Sequence, residues 1–233
     1  MKNLYFLAFN FLFCLPVFGQ SGIPVKLVVY PNYSQAVYSH DGSMPSTVVN
    51  SLKDFEIAKP SFSTGILARL PLNENWGVSS GVIFMQTGFR DKEQVFRPGI
   101  PDPVIPEKYK ATYRNINIEM PIYLDRSIWK NEKRNIYFSA GPSAWFNVSN
   151  KIISTSTYSD GRVEKLKTEN RTVEFKGVNV ALKGGIGLEY FINKKFSFYI
   201  QPSAQISLLG IALDAPLNRH ILSYGITTGI ILK

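Results

Sequence analysis

The sequence predicts an all-β protein, an eight-stranded antiparallel up-and-down β-barrel that crosses a membrane through its strands. Apolar and polar residues alternate with a period of two through most of the chain. The predicted strands are about 11–15 residues long, which exceeds the usual length in soluble sheets and suits tilted membrane strands. The mean hydropathy of −0.03, and the lack of long apolar runs after residue 20, exclude a bundle of membrane helices.

The first segment predicts export. An almost wholly apolar run covers residues 4–18, and a small residue, Gly19, ends it before Gln20. This pattern is typical of a secretory signal peptide. We therefore expect a signal peptide over residues 1–19, cleaved near Gly19/Gln20, and a barrel domain over residues 20–233 in the cell outer membrane.

The eight predicted strands cover residues 23–33, 61–72, 76–89, 111–125, 136–148, 178–192, 196–209 and 222–232. The connections between them alternate strictly between short and long. The short ones lie at residues 73–75, 130–133 and 193–195, and the long ones at 34–60, 90–110, 149–177 and 210–221. An up-and-down outer-membrane barrel has short periplasmic turns and long extracellular loops, so this alternation predicts both the topology and the orientation.

The two faces of each strand differ in composition. In residues 196–209, for example, one face carries Phe, Ile, Ala and Leu, and the other carries Ser, Tyr and Gln. The apolar face suits lipid, and the small polar residues suit a crowded barrel interior.

Five charged residues share the polar parity of their strands and are predicted to face the lumen. They are Lys26, Arg69, Glu119, Lys183 and Glu189. Ionised groups in a narrow lumen must be paired or hydrated, so we expect a plug of salt bridges in which Glu119 and Arg69 meet across the barrel. The functional alternative for the same residues is a path for protons or ions.

Two stretches resemble a known family. Residues 117–124 read Asn-Ile-Glu-Met-Pro-Ile-Tyr-Leu, and residues 185–202 combine a glycine-rich strand, an Asn-Lys turn and a strand containing Pro202. Together with the Phe-Gly-Gln at residues 18–20, they resemble the outer-membrane β-barrel domain family of Bacteroidota, the PorT-like, OmpA-like eight-stranded barrels. The chain departs from the family in its first strand, which lacks the frequent Gly-rich opening, and in ending on Ile-Leu-Lys233 without a terminal aromatic residue.

The resemblance implies a non-enzymatic barrel with a structural or interaction role. A few members of the family assist protein secretion, and an accessory role of that kind is implied by the resemblance alone. The expected partners are outer-membrane lipid or lipopolysaccharide and other envelope proteins, because the predicted compartment holds these and excludes nucleic acid.

The residues predict no catalytic site, cofactor or metal. The only cysteine, Cys14, falls in the signal peptide, and the two histidines, His40 and His220, form no metal-binding cluster. One alternative remains an outer-membrane enzyme that modifies lipid and uses one of these histidines beside a serine. A second alternative is a narrow channel or a binder of small ligands. In the long loop 149–177, Ser159-Asp-Gly-Arg162 predicts a hairpin turn.

Overall fold

A computed structural model of the chain describes residues 22–40, 42, 44–96, 104–170, 174–213, 215 and 217–233. The predicted signal peptide, with Cys14, lies outside the described residues. Residues 97–103 of the Pro-rich second long loop also lie outside them. Within the described ranges, no helix is both long enough and apolar enough to cross a membrane.

The described chain forms eleven strands and one helix. In order they are β1 (Val25–His40), α1 (Ser46–Phe55), β2 (Glu56–Ile57), β3 (Lys59–Pro71), β4 (Trp76–Asp91), β5 (Gln94–Val95), β6 (Lys108–Lys130), β7 (Arg134–Thr157), β8 (Val163–Glu169), β9 (Val178–Phe191), β10 (Phe196–Ser207) and β11 (Leu217–Leu232).

Eight long strands pair in a closed ring. The order is β1-β3-β4-β6-β7-β9-β10-β11, and β11 pairs back with β1 from Val25↔Leu232 to His40↔Leu217. Every pairing is antiparallel. Closure leaves no strand edge in the wall, which hydrocarbon would penalise by several kcal/mol for each unpaired backbone group.

The structure has eleven strands where the sequence predicted eight. The three additional strands, β2, β5 and β8, are two to seven residues long and pair with β4, β6 and β7 beyond the ring. They lie in segments predicted as loops, because exposed polar strands lack the alternation of apolar and polar residues that identifies a wall strand.

One end of the barrel consists of three short turns built alike. In each turn an asparagine side chain accepts hydrogen bonds from the backbone N–H groups two and three residues later, as Asn73 does from Asn75 and Trp76 at 3.0 and 2.9 Å. Asn131 and Asn193 make the same pair of bonds. The asparagine thereby satisfies backbone donors that the tight turn leaves unpaired.

The other end extends well beyond the predicted strands. β6 and β7 run to 23 and 24 residues and continue into a hairpin with β8. The turn between β7 and β8 is the one predicted at residues 159–162: Gly161 has a φ of 82°, and Tyr158 N–H donates to the Arg162 carbonyl at 2.9 Å. We call this the long-loop end.

The helix α1 was not predicted from the sequence. It spans only ten residues, and its apolar positions Val49, Leu52 and Phe55 repeat every three residues. Val49 is buried beside the barrel mouth. So short an amphipathic stretch, inside a loop rich in Ser and Asp, gives too few periods to be recognised.

The outer face of the ring is apolar. Among its exposed side chains are Leu27, Val29, Phe62, Phe84, Met120, Ile122, Leu124, Ile186, Phe198, Ile200, Ile226 and Ile230. Tyr33 and Tyr224 stack at 6.3 Å on this face, near its long-loop border. A continuous apolar wall with aromatic residues at its border is what a lipid environment favours.

Candidate functional site in the lumen and at its mouth

Asp125 is the centre of the luminal charges. Its Oδ2 accepts from the Lys26 ammonium at 3.0 Å and from the Ser79 hydroxyl at 2.6 Å, and it lies 3.4 Å from Arg69 Nε. Asp125 has no solvent exposure, and Lys26 is 4% exposed. The carboxylate is thus compensated by two cations that come from β1 and β3.

Arg69 links Asp125 to a second carboxylate. Its Nη1 donates to Glu189 Oε2 at 3.3 Å, while the other oxygen of Glu189 accepts from Ser197 at 2.6 Å and lies 3.1 Å from Lys233 Nζ. We call Lys26, Asp125, Arg69, Glu189 and Lys233 the luminal ion network. It occupies the half of the lumen near the short turns and joins five strands or their ends.

Tyrosine rings fill the space around this network. Lys26 Nζ lies 5.2 Å from the ring centroid of Tyr137 and 5.8 Å from that of Tyr199, so both rings contribute cation–π attraction. Gly187 faces Tyr137, and a Cβ at Gly187 would overlap the ring. The glycine-rich stretch of β9 therefore makes room for the aromatic side chain of its ladder partner on β7.

Glu119 and Lys183 lie in a separate cluster nearer the long-loop end. Tyr123 donates to Glu119 Oε1 at 2.8 Å, and the amide of Gln205 donates to the same oxygen. Lys183 Nζ lies 4.0 Å from the ring centroid of Tyr30 and 5.9 Å from that of Tyr123. This cluster is held by neutral side chains and aromatic rings.

The structure corrects the expected contact between Glu119 and Arg69. All five sequence-predicted residues lie inside the barrel, but Arg69 contacts Asp125 and Glu189, while Glu119 contacts Tyr123 and Gln205. The predicted contact does not form because the stagger of neighbouring strands determines which inward-facing residues lie at the same height in the barrel. The alternation along a single strand carries no information about that stagger.

Sequence reasoning missed two members of the luminal ion network. Asp125 was predicted to end its strand, whereas β6 continues to Lys130 and so places Asp125 inside the lumen. Lys233 follows the last strand and folds back over the mouth, 3.9 Å from the ring centroid of Phe191. Asp125 lies an even number of residues from Glu119 on the same strand and so shares its inward face. This was the sequence signal that could have identified Asp125 as a luminal residue.

The described lumen has little free space. One cavity of about 20 Å³ lies among Lys26, Tyr123 and Tyr199, and another of about 20 Å³ lies beside Trp145. Each has room for about one water molecule. Wider hollows of about 210 and 290 Å³ lie at the short-turn and long-loop mouths.

A second ion pair closes the long-loop mouth, above the Tyr33–Tyr224 level. Arg219 of β11 donates to both carboxylate oxygens of Glu56 at distances of 2.7–3.1 Å. Asp91, the ladder partner of Glu56, is buried, and this burial together with the Glu56 charge raises the pKa of Asp91 to about 6, while Arg219 opposes the shift. The ion pair between Arg219 and Glu56 holds the segment after α1 against the barrel wall.

The two histidines differ in what the structure describes. The His40 backbone ends β1, and its side chain lies outside the described part of the structure. His220 lies on the outward face of β11, where its Nε2 is 2.8 Å from the Ser39 hydroxyl and its Nδ1 is 3.0 Å from the Ser207 carbonyl. The residues described here contain no group of three His, Cys, Asp or Glu arranged to hold a metal.

Comparison with solved structures finds distant barrels. Ail of Yersinia pestis, in complex with the heparin analogue sucrose octasulfate, is 15% identical over 90% of this chain and 99% of its own, with a TM-score of 0.37. Neisserial surface protein A is 10% identical over 89% and 96%, with a TM-score of 0.40, and the protease OmpT of Escherichia coli is 9% identical over 90% and 96%, with a TM-score of 0.39. No curated protein matches the chain.

The family comparison is decisive for class and location. The outer membrane protein beta-barrel domain family matches residues 28–203, which include every wall strand from β3 to β9. In barrels of this membrane the short turns face the periplasm and the long loops face outward. The closed antiparallel ring and its apolar wall agree with that placement. The chain belongs to the outer membrane protein beta-barrel domain family and is an integral protein of the outer membrane.

Proposed function

We propose that this protein is a closed, non-catalytic barrel whose role is structural or interactive and is performed by its extracellular segments. The observation that carries the proposal is the filled lumen, in which the luminal ion network and the rings of Tyr137 and Tyr199 leave cavities of about 20 Å³. A path for ions or solutes needs a continuous hydrated bore, and a plug of paired charges and rings works against one.

The proposed partners are those of the outer-membrane surface. Outer-membrane lipid, lipopolysaccharide and other envelope proteins surround the extended β6–β7–β8 hairpins, whereas nucleic acid does not occur there. The proposal includes export by a signal peptide over residues 1–19 and kinship with the PorT-like barrels of Bacteroidota, some of which assist secretion. That relationship is supported by the resemblance of residues 18–20, 117–124 and 185–202.

Conductance across a planar lipid bilayer tests the closed lumen. Purified protein, folded as judged by faster gel migration without boiling, should give current at the background level after insertion. Insertion should be verified in the same bilayers by fluorescence of a label at Asn75. Steady, reproducible open steps from the unmodified protein would contradict the proposal and favour a narrow channel.

One contact favours a second candidate function, hydrolysis of lipid esters. With the Nδ1 proton of His220 donated to the Ser207 carbonyl, Nε2 is free to accept the proton of Ser39, which is the relation between a base and a nucleophile. Both side chains lie on the outward face, beyond the Tyr33–Tyr224 stack and close to lipid headgroups. A backbone carbonyl takes the place of the usual orienting carboxylate, which weakens the candidate.

A fluorophosphonate probe separates the two candidates. The probe forms a covalent bond with a serine that a base activates, so the non-catalytic proposal expects no labelling of the folded protein. Labelling that disappears in both Ser39→Ala and His220→Ala, with release of fatty acid from phospholipid vesicles by the unmodified protein, would replace the first candidate with the second. Ser154→Ala, which removes another extracellular hydroxyl, is the matched control.

A further inference from the structure

Lysines collect on one face of the sheet that β6, β7 and β8 form beyond the barrel ring. Directly paired residues of an antiparallel sheet share a face. One such row is Lys110↔Thr155↔Lys165, the next is Thr112↔Ile153↔Lys167, and a third is Arg114↔Lys151↔Glu169. We call Lys108, Lys110, Arg114, Lys151, Lys165 and Lys167 the outward basic face.

The opposite face of the same sheet has the contrary composition. Over the same rows it carries Tyr109, Ala111, Tyr113, Ile152, Ser154, Ser156, Glu164, Leu166 and Thr168. These nine described positions contain no lysine or arginine. The basic residues of the sheet are therefore segregated to one side, which ordinary solvation of a surface sheet does not require.

The basic face continues the lipid-facing wall. Along β6, the positions Met120, Ile122 and Leu124 point outward into the apolar surface and are 42–60% exposed. Lys110 has the same parity, because the register shift between Ile116 and Asn117 places its extra residue, Val148, in β7 and not in β6. Tyr113, of the other parity, stacks inside the mouth on Phe89 at 4.5 Å. The cations thus rise directly above the membrane wall, starting near Arg114 and extending over about 20 Å of strand.

Most of these cations lack a counter-charge among the described residues. Lys108 pairs with Glu93 at 3.2 Å and Lys151 lies opposite Glu169 in the ladder, whereas Lys110, Lys165 and Lys167 make no ion pair with any residue that the structure describes. Like charges held at sheet spacing repel one another, and anions supplied from outside the chain would remove that repulsion.

We propose that the outward basic face binds the phosphate groups of lipopolysaccharide in the outer leaflet, on its lipid A and inner core. The inference rests on the proposed interaction with outer-membrane lipid and names the surface that performs it. Two features select this partner over a soluble polyanion: the face is parallel to the barrel wall instead of pointing away from the cell, and its lowest cations lie at the border of the apolar wall. Acyl chains on the wall and phosphates on the lysines would engage one molecule together.

The experiment compares two triple variants of the full-length protein reconstituted in lipid nanodiscs. Lys110, Lys165 and Lys167 are replaced by glutamine in the first, and three exposed periplasmic lysines, Lys130, Lys133 and Lys194, are replaced in the control. Both variants must keep the faster gel migration of the unboiled barrel. The probe is lipopolysaccharide, intact or with its phosphates removed enzymatically, and the readout is its dissociation constant.

The proposal expects the first variant to bind intact lipopolysaccharide about 100-fold more weakly, at about fivefold for each lysine. The control variant should bind it as the unmodified protein does, and removal of the phosphates should weaken binding by the unmodified protein to a similar extent. Equal binding by the two triple variants, or equal binding of intact and dephosphorylated lipopolysaccharide, would overturn the proposal.

Two further arms keep the result decisive. Replacing the same three lysines by arginine preserves charge and should retain binding, so the proposal remains testable if the glutamine variant does not fold. A soluble sulfated polysaccharide that binds more tightly than intact lipopolysaccharide would assign the face to a free polyanion and overturn the lipid partner. Bilayer conductance is unaffected by any of these outcomes, so failure here is distinguishable from failure of the closed-barrel proposal.

Discussion

The charged side chains of the luminal ion network are paired with one another, whereas most of those on the outward basic face are not. In the lumen, Lys26, Arg69 and Lys233 share the two buried carboxylates of Asp125 and Glu189 at 3.0–3.4 Å. On the outward sheet, lysines stand at regular spacing with few carboxylates of the chain beside them. A charge removed from water must be compensated within the fold, whereas a charge that faces water or headgroups can be left for an external anion.

The largest effect should come from breaking the luminal side of this comparison at Asp125. Asp125→Asn leaves Lys26 and Arg69 buried with one fewer carboxylate between them, which costs about 3–5 kcal/mol, less where water enters. The expected result is a clear fall in the temperature at which the barrel loses its faster gel migration in detergent. Lys165→Gln on the outward face is the matched control and should stay within about 0.5 kcal/mol of the unmodified protein. Equal melting of the two variants would contradict the comparison.

A smaller effect should come from Glu119, and it distinguishes the two luminal clusters. Glu119→Gln keeps an oxygen that accepts from Tyr123, so its cost should be nearer 1–3 kcal/mol. Because Glu119 and Arg69 do not touch, their two substitutions should add within about 0.5 kcal/mol. Asp125→Asn and Arg69→Gln, by contrast, should show a coupling of about 0.5–3 kcal/mol.

The double variants are measured by the same thermal unfolding. Strong coupling between Glu119 and Arg69 would support the contact expected from the sequence. It would also show that the two luminal clusters are energetically coupled across the lumen. Absence of coupling between Asp125 and Arg69 would show that the carboxylate at the centre of the luminal ion network is not compensated by that guanidinium.

The sequence predicted which side chains face the barrel interior, but it did not predict which of them contact one another. Alternation along each strand fixed which side Lys26, Glu119 and Glu189 would face, because a strand has a period of two whatever surrounds it. The pairing of charges depends on the relative height of residues from different strands, which the shear of the closed ring sets. Asp125 was missed because the end of its strand was placed five residues early.

The long-loop end was predicted less well for a different reason. A strand whose residues are all exposed beyond the membrane wall, such as β8, needs no apolar face, so its residues Val163–Glu169 resemble a polar loop in sequence. Only the turn at residues 159–162 carried a local signal, because its glycine requires a positive φ. The outward basic face becomes visible once the register of β6, β7 and β8 is known.

The smallest effect concerns Asp91 at the extracellular mouth, where a carboxylate is buried with incomplete compensation. Burial and the neighbouring Glu56 raise the pKa of Asp91 to about 6, so the folded mouth binds a proton that the opened mouth releases. Local stability should therefore decline as the pH rises from about 4 to about 6, and the full penalty of the charged form should be present at pH 7.

Hydrogen exchange of the amides in α1 and β2, corrected for intrinsic rates, should be slower at pH 5 than at pH 7. Asp91→Asn should abolish this difference and slow exchange at pH 7, whereas Asp54→Asn, which changes an exposed carboxylate of the same segment, should leave it unchanged. Faster exchange at pH 5 would mean that Arg219 compensates Asp91 fully and that the mouth, like the luminal ion network, keeps no uncompensated buried charge. A difference that survives in Asp91→Asn would assign the titration to another group and contradict the prediction.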